Sequence, residues 1–383
     1  MTNEDNLTSL KPICVAKGFR PLYFDGAHLI CANYNRIFST TDLGKSFSLI
    51  GYFPDPSPFS SLLRFSPLVR RVLRATIYRL RVMENGNLVF IFKGGIYLLR
   101  SQEQVAERVF PITKGSRPVS LAYKPGGLVV FGEYYNNVRR HAIHIYGSKD
   151  CGESWKSVYT FSPGSIRHIH GITYDPWEDC FWICTGDYDH EAQVLRASPD
   201  FDEIRIILQG GQSNRFYSIL ALENHLIMVN DSPNADNYVR VLQKDTGKVS
   251  NLSRIDNSNF YSCMVGDWFL CSNNAEPAEE NIPITCHTPN DRLATHVWLT
   301  NSMMKVAEKA VSFPVDHWDR LSRLYGIPNG LFQYPRIFFP EGYNSTGHLV
   351  CYALGVKKYD DCMLVYNMDD LKEQIGPERL DQK

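Results

Sequence analysis

A chain of 383 residues with a formal net charge of −1 carries no electrostatic bias toward nucleic acid or an anionic membrane. Its 44% apolar and 21% charged residues are those of a globular protein, and no apolar run reaches the roughly 18–20 residues that a bilayer span needs. Glu4 and Asp5 stand where a secretory signal would be basic, and half of the ten cysteines (Cys31, Cys184, Cys263, Cys271, Cys351) lie inside apolar runs, so a reduced, cytoplasmic protein is expected.

From Gly18 to Phe47, three short apolar runs are broken by Asp25-Gly26, by Asn33-Tyr34-Asn35 and by Asp42-Leu43-Gly44. Runs of this size between turn residues read as antiparallel strands in a meander. Residues 53–74 interrupt the rhythm with a Pro- and Ser-rich piece and an amphipathic stretch, and are expected to form a partly helical insertion. Strand rhythm resumes at Thr76–Arg100, with turns at Glu84–Gly86 and Lys93–Gly95. It recurs at Arg117–Trp155, Arg167–Leu208, Arg215–Val249 and again from Asn259. Between residues 277 and 329 it weakens. Met303–Phe313 and Asp316–Gly326 have helical spacing there, so a second insertion is expected. A last round runs from Tyr334 to Met368.

About seven rounds of three or four strands, recurring every 40–50 residues or so, point to an all-β fold, a β-propeller of seven four-stranded antiparallel blades forming one domain over residues 1–383. A β-sandwich is the competing architecture, but sandwiches do not repeat one internal register along a whole chain.

The repeat carries a motif. Ser148-Lys149-Asp150-Cys151-Gly152-Glu153-Ser154-Trp155 and Thr40-Thr41-Asp42-Leu43-Gly44-Lys45-Ser46-Phe47 share the pattern Ser/Thr-x-Asp-x-Gly-x-Ser-aromatic, and Ser198-Pro199-Asp200-Phe201 is a degenerate copy. Asp in such a hairpin folds back on backbone N–H groups, Gly supplies a positive φ and the aromatic plugs the sheet. With these motifs the chain resembles the Asp-box (BNR-repeat) β-propellers of the sialidase-like superfamily. Gly164–Pro176, followed by an apolar strand and Thr185-Gly186-Asp187, is similar to bacterial BNR-repeat proteins grouped loosely with glycosyl hydrolases. The Arg-Ile-Pro signature of the sialidase enzymes is absent, Arg20-Pro21 being a partial echo, so the resemblance stops short of sialidase activity.

The resemblance implies that the boxes sit between third and fourth strands, away from the ligand. The opposite face is then built from first-strand starts and second-to-third-strand loops. At first-strand starts an Arg recurs at one register in four blades, Arg20, Arg117, Arg167 and Arg215, with Asn259 in that place in a fifth. Converging guanidiniums suit carboxylate, sulfate or phosphate. The facing loops are polar and acidic: Glu133 with Tyr134, Asp187 with Asp189, Asp231, and Asn273 through Glu276. His168 and His170, two apart on one strand, share a face; a divalent metal beside them would need a third ligand that spacing does not supply, so no metal set is assigned.

An acidic oligosaccharide or polysaccharide is therefore the expected partner, bound at the channel mouth by Arg20, Arg117, Arg167, Arg215, Tyr217, Asp231 and Tyr261. The catalytic candidates are His168, His170, Asp187, Glu133 and Tyr134. A glycoside hydrolase would draw its two carboxyls from Glu133, Asp187 and Asp231. A polysaccharide lyase would neutralise a uronate with Arg or a metal and use His168 or His170 with Tyr134 or Tyr217. The alternative is a non-catalytic propeller scaffold that binds a glycan or a protein.

Overall fold

The computed structural model describes residues 10–55, 57–188, 190–275, 293–301, 307–327 and 330–375. Asp189 and Glu276, two of the polar loop residues named above, lie outside them.

Seven four-stranded antiparallel sheets make up the chain, each hydrogen-bonded in sequential strand order apart from the last. Their first strands are Arg20–Phe24, Leu80–Val82, Ala122–Lys124, His168–Asp175, Phe216–Ala221, Asn259–Val265 and Arg336–Phe338. These pack on one another at the centre, the first strand of blade 4 against those of blades 3 and 5. The seventh sheet closes the ring. Its outermost strand is Cys14–Lys17, from the start of the chain, and Cys14 lies opposite Val365 of Cys362–Asn367. Pairing the two ends of the chain removes the gap that an open ring would leave between first and last blades.

No single central core exists. The buried apolar residues fall into seven wedges, one at each blade interface. Second strands contribute to every wedge, and Leu88–Phe92, Leu128–Gly132 and Cys180–Gly186 are buried along their whole length. Burial on both faces explains why they read as unbroken apolar runs rather than alternating ones. A fully buried Phe such as Phe181 contributes about 1.5–3 kcal/mol.

The hairpins between third and fourth strands behave as local chemistry demands. Asp42 Oδ1 accepts from the N–H groups of Lys45 (3.0 Å) and Ser46 (2.9 Å), and Asp150 Oδ1 accepts from Ser154 N–H at 2.9 Å. Phe47 stacks on Phe19 at 3.8 Å between centroids, and Trp155 packs beside Phe131. Antiparallel order puts these hairpins on the opposite face from the second-to-third-strand loops.

In the 53–74 segment, Ser60–Phe65 and Pro67–Val72 are helices; Ser66 Oγ accepts from Val69 N–H, and Pro67 opens the second. Arg70 pairs with Asp361 at 2.8 Å and Arg71 with Asp316, which fastens the segment to blade 7 and to the connection that leaves blade 6. The 277–329 expectation needs correction. His317–Tyr325 is helical, but Ala294–Thr300 and Glu308–Pro314 are the third and fourth strands of blade 6. Helical spacing over 303–313 lost to pairing: Val297 lies opposite Val311, and Ala310, Val311 and Phe313 are buried in the blade 6–blade 7 wedge. Among the described residues, no helix is long and apolar enough to cross a membrane.

Candidate functional site

A cavity of about 620 Å³ opens where first strands begin and second-to-third-strand loops converge. A second cavity lies at the other end of the channel, lined by Arg79, Arg81 and Glu341 among others. Val119, Tyr217, Phe260 and Tyr261 line both, so these side chains form the floor between the two mouths.

The first cavity collects Arg117, Tyr134, Arg167, His168, Asp187, Arg215, Tyr217, Asp231 and Tyr261. His170 stands behind His168, 1% exposed. Glu133 and Arg20 are not in the lining. Glu133 is buried in its loop, where its Oε2 accepts from His144 N–H at 2.9 Å, and burial pushes its carboxyl above the usual range. Arg20 is buried beneath the wall, with its guanidinium 4.0 Å from the Phe338 ring centroid and donating to Thr76 Oγ1.

The arginines do not share the single register that the sequence suggests. First strands of blades 1, 4, 5 and 6 each carry a bulge, at Leu22, His170, Tyr217 and Phe260. Counting back from it, Arg20 and Arg215 match His168, whereas Arg167 comes one residue earlier and Asn259 one later. The extra residue of a bulge shifts every position before it. Asn259 is fully buried and donates to Ser272 O at 2.6 Å, a structural position in its strand.

The cavity has two electrostatically different halves. In one, Asp187 is the hub. Its Oδ2 accepts from Arg167 at 2.6 Å, its Oδ1 lies 3.2 Å from Arg215, and Arg215 also faces Asp231 at 3.6 Å. Burial opposes ionisation of Asp187, but its contacts with His168 and His170 and the Arg215 charge outweigh it and hold the carboxyl well below the usual range. His170 Nε2 stands 2.9 Å from Asp187 Oδ1 and 3.0 Å from His168 Nε2. The outer ring nitrogens are fixed by backbone carbonyls: His168 Nδ1 to Tyr135 O at 2.9 Å, His170 Nδ1 to Phe216 O at 3.0 Å. Gly186 makes this approach feasible, since a Cβ there would fall 2.6 Å from His170 Cε1.

The other half is cationic. Arg117 donates to the Tyr78 hydroxyl at 3.1 Å, and the Arg20 and Arg117 guanidiniums each lie within 6 Å of the Tyr78 ring centroid, at 5.7 and 5.6 Å. Arg74 donates to Gly330 O, and burial together with the neighbouring Arg117 charge pushes its guanidinium down from the ordinary value. Among the described residues, no ion pair with a carboxylate joins Arg20, Arg74 or Arg117. Burial pushes the Tyr78 phenol up, but the Arg117, Arg20 and Arg336 charges outweigh it, and the net direction is down. Tyr217 goes the other way, raised well above the phenol range by burial and by Tyr261 and Tyr134. Gly115, with φ +75°, lets the wall close: a Cβ there would meet Tyr134 O at 2.3 Å.

Arg74, Tyr78, Tyr334 and Arg336 are cavity residues that the sequence reading missed. Arg336 had a signal, since Tyr334-Pro335-Arg336 opens a first strand as Arg20 does. Arg74 ends the helical segment and Tyr78 precedes its strand, so neither sits in a repeat position.

Five guanidiniums against two carboxylates, Asp187 and Asp231, leave a positive cavity suited to an anion.

No family model and no curated protein matches the chain. Solved structures share its architecture. A GH74 xyloglucanase from Xanthomonas campestris aligns over 96% of this chain at 12% identity with a TM-score of 0.58, and the chain spans 54% of that protein. The WD40 β-propeller domain of Doa1 aligns over 94% of this chain and 96% of its own at 9% identity and a TM-score of 0.54. A chain of the mitotic checkpoint complex aligns over 94% and 92% at 10% identity, also with a TM-score of 0.54. At such identities the likeness shows the propeller fold alone.

Proposed function

We propose that this protein is a carbohydrate-active enzyme of the Asp-box propeller kind that cleaves an anionic glycan by β-elimination at the mouth lined by Arg74, Arg117 and Tyr78. One observation carries the reading: a phenol whose acidity is raised by Arg117 and Arg20, which no described carboxylate neutralises, set in the wall of an open cavity. In such a site a uronate carboxylate pairs with Arg74 and Arg117, which lowers the cost of carbanion character at the carbon beside it. The Tyr78 oxygen takes the proton from that carbon. The C–H electron pair becomes a carbon–carbon double bond, and the bond from the next carbon to the glycosidic oxygen breaks. Tyr217, held protonated by burial, supplies the proton to the leaving oxygen. Atoms and electrons balance without an oxidant.

Hydrolysis fits less well. It needs a carboxylic acid with a raised pKa facing a second carboxylate. Asp187 is held ionised and Asp231 faces Arg215, while Glu133, the carboxyl with a raised value, is outside the cavity lining. The free state of the described cysteines accords with the reducing compartment proposed for the protein.

The test is incubation with polygalacturonate, alginate and hyaluronan while following the near-ultraviolet absorbance of the unsaturated uronide. Wild type is expected to produce it on at least one polymer, and Tyr78→Phe to cut the rate by about 100-fold or more with oligosaccharide affinity retained. Affinity without unsaturated product from any polymer would leave a binding propeller in place of an enzyme.

A further inference from the structure

We infer that His168, His170 and Asp187 form a binding site for one divalent first-row transition ion of octahedral preference, Mn²⁺ or Fe²⁺, in the wall of the cavity. Two ring nitrogens and one carboxylate converge there. The two Nε2 atoms stand 3.0 Å apart, Asp187 Oδ1 is 2.9 Å from His170 Nε2, and Asp187 Oδ2 is 3.4 Å from His168 Nε2. Backbone carbonyls can only accept, so Tyr135 O and Phe216 O place the ring protons on the two Nδ1 atoms. With neutral rings, both Nε2 lone pairs and the carboxylate then point into the same space. Three donors of electron density without a positive centre repel one another. A cation between them turns that repulsion into coordination.

The spacing also selects a coordination geometry. Metal–ligand bonds of about 2.1 Å place neighbouring donors of an octahedron about 3.0 Å apart and those of a tetrahedron about 3.4 Å apart. Two of the three observed separations, 3.0 Å between the histidines and 2.9 Å from His170 to Asp187, match the octahedral edge, and the His168–Asp187 separation of 3.4 Å is longer. Two histidines and one carboxylate occupy one triangular face and leave three positions open. The outer shell is of the metal-site kind, with each ring N–H tied to a carbonyl and the carboxylate steered by Arg167 and Arg215. Those two guanidiniums oppose a further positive charge, and Asp231, 3.6 Å from Arg215, offsets part of that. His168 and Asp187 line the cavity, so an ion held by them is within reach of a ligand there. A substrate carboxylate or vicinal hydroxyls would fill its open positions; that role rests on the proposed function, whereas the site itself rests on donor geometry.

The experiment uses chelator-treated full-length protein and Mn²⁺ as the probe. Electron paramagnetic resonance and calorimetric titration are expected to show one ion per chain, with loss of the His168 and His170 imidazole ¹⁵N signals by paramagnetic broadening. His168→Gln, with folding checked by circular dichroism, is expected to weaken Mn²⁺ binding by at least about 100-fold. Unchanged binding in that variant overturns the site, as do intact imidazole signals in wild type at millimolar Mn²⁺ with one proton shared between the two Nε2 atoms. The uronide assay separates the two readings. Turnover by metal-free protein that binds no Mn²⁺ sinks the metal site and leaves the elimination reading standing. One tightly bound Mn²⁺ with no turnover on any polymer does the reverse.

Discussion

Asp187→Asn tests the electrostatic hub of the site through stability alone. The substitution conserves shape and removes one charge from a cluster in which the Asp187, Arg215 and Arg167 side chains are 10%, 6% and 17% exposed. Breaking a buried ion pair from one side costs about 3–5 kcal/mol, because the partner charge stays behind in a poor solvent. Here two guanidiniums lose their carboxylate, but Arg215 keeps Asp231 at 3.6 Å and the asparagine oxygen still accepts a hydrogen bond. The expected loss is therefore at the lower end, about 3 kcal/mol. Urea unfolding followed by circular dichroism, in chelator-treated protein so that ion binding contributes nothing, should show the midpoint fall by about 1 M. Asp179→Asn is the control: its pair with Lys124 is a surface one, with the Asp179 side chain 54% exposed, and the change should stay under about 0.5 kcal/mol. An Asp187→Asn variant within about 1 kcal/mol of wild type would refute the picture of a desolvated cluster held together by this carboxylate.

Gly186→Ala puts a Cβ 2.6 Å from His170 Cε1 and should cost about 1–3 kcal/mol in a thermal melt, whereas Gly347→Ala, with nothing within 4 Å, should be near neutral; equal effects would show that His170 is not tightly seated. Arg117→Gln removes a charged donor from the cationic half, and titration with a short uronate oligosaccharide should show affinity weakened about 10- to 150-fold, corresponding to about 1.5–3 kcal/mol; unaltered affinity would place the anion elsewhere. Glu133→Gln should reveal the cost of a buried carboxylate. Burial raises the Glu133 pKa in the folded state, so wild type has its full share of stability below the ordinary glutamate value and loses it as pH rises through the folded value. Gln mimics the protonated form and still accepts from His144 N–H, so the variant should melt higher than wild type at pH 7 and match it below about pH 4; no gain at pH 7 would contradict the burial effect.

Much of the site was legible because it is local. His168, His170 and Asp187 come from two adjacent strands and the loop leaving the second, so the spacing of a hairpin brings them together. Asp231 follows the second strand of blade 5 as Asp187 follows that of blade 4, and Tyr134 lies one residue further along the corresponding loop of blade 3, so both entered by the same repeat. The single Arg register failed because a bulge is a property of pairing: nothing in Arg167-His168-Ile169-His170 says which residue will lack a partner across the sheet. Glu133 failed for a related reason. Its loop position matches that of Asp187, but its carboxylate turns back to His144 N–H.

The sequence by itself determined the propeller. Turn residues at regular intervals and apolar runs of strand length act within each hairpin, and the Asp42 and Asp150 turns close on their own backbone without help from elsewhere. Tertiary structure alone decided three things. It closed the ring, because Cys14–Lys17 pairs with Cys362–Asn367 from the far end of the chain. It made strands of Ala294–Thr300 and Glu308–Pro314, because pairing and burial outweigh a helical spacing that no blade accommodates. It also built the cationic half of the cavity from Arg74, Tyr78 and Arg117, because Arg117 meets the other two only where blades 2 and 3 pack together. Hairpin chemistry acts over a few residues and is written in order along the chain. A charge acts through space, and its neighbours are set by where the ring closes.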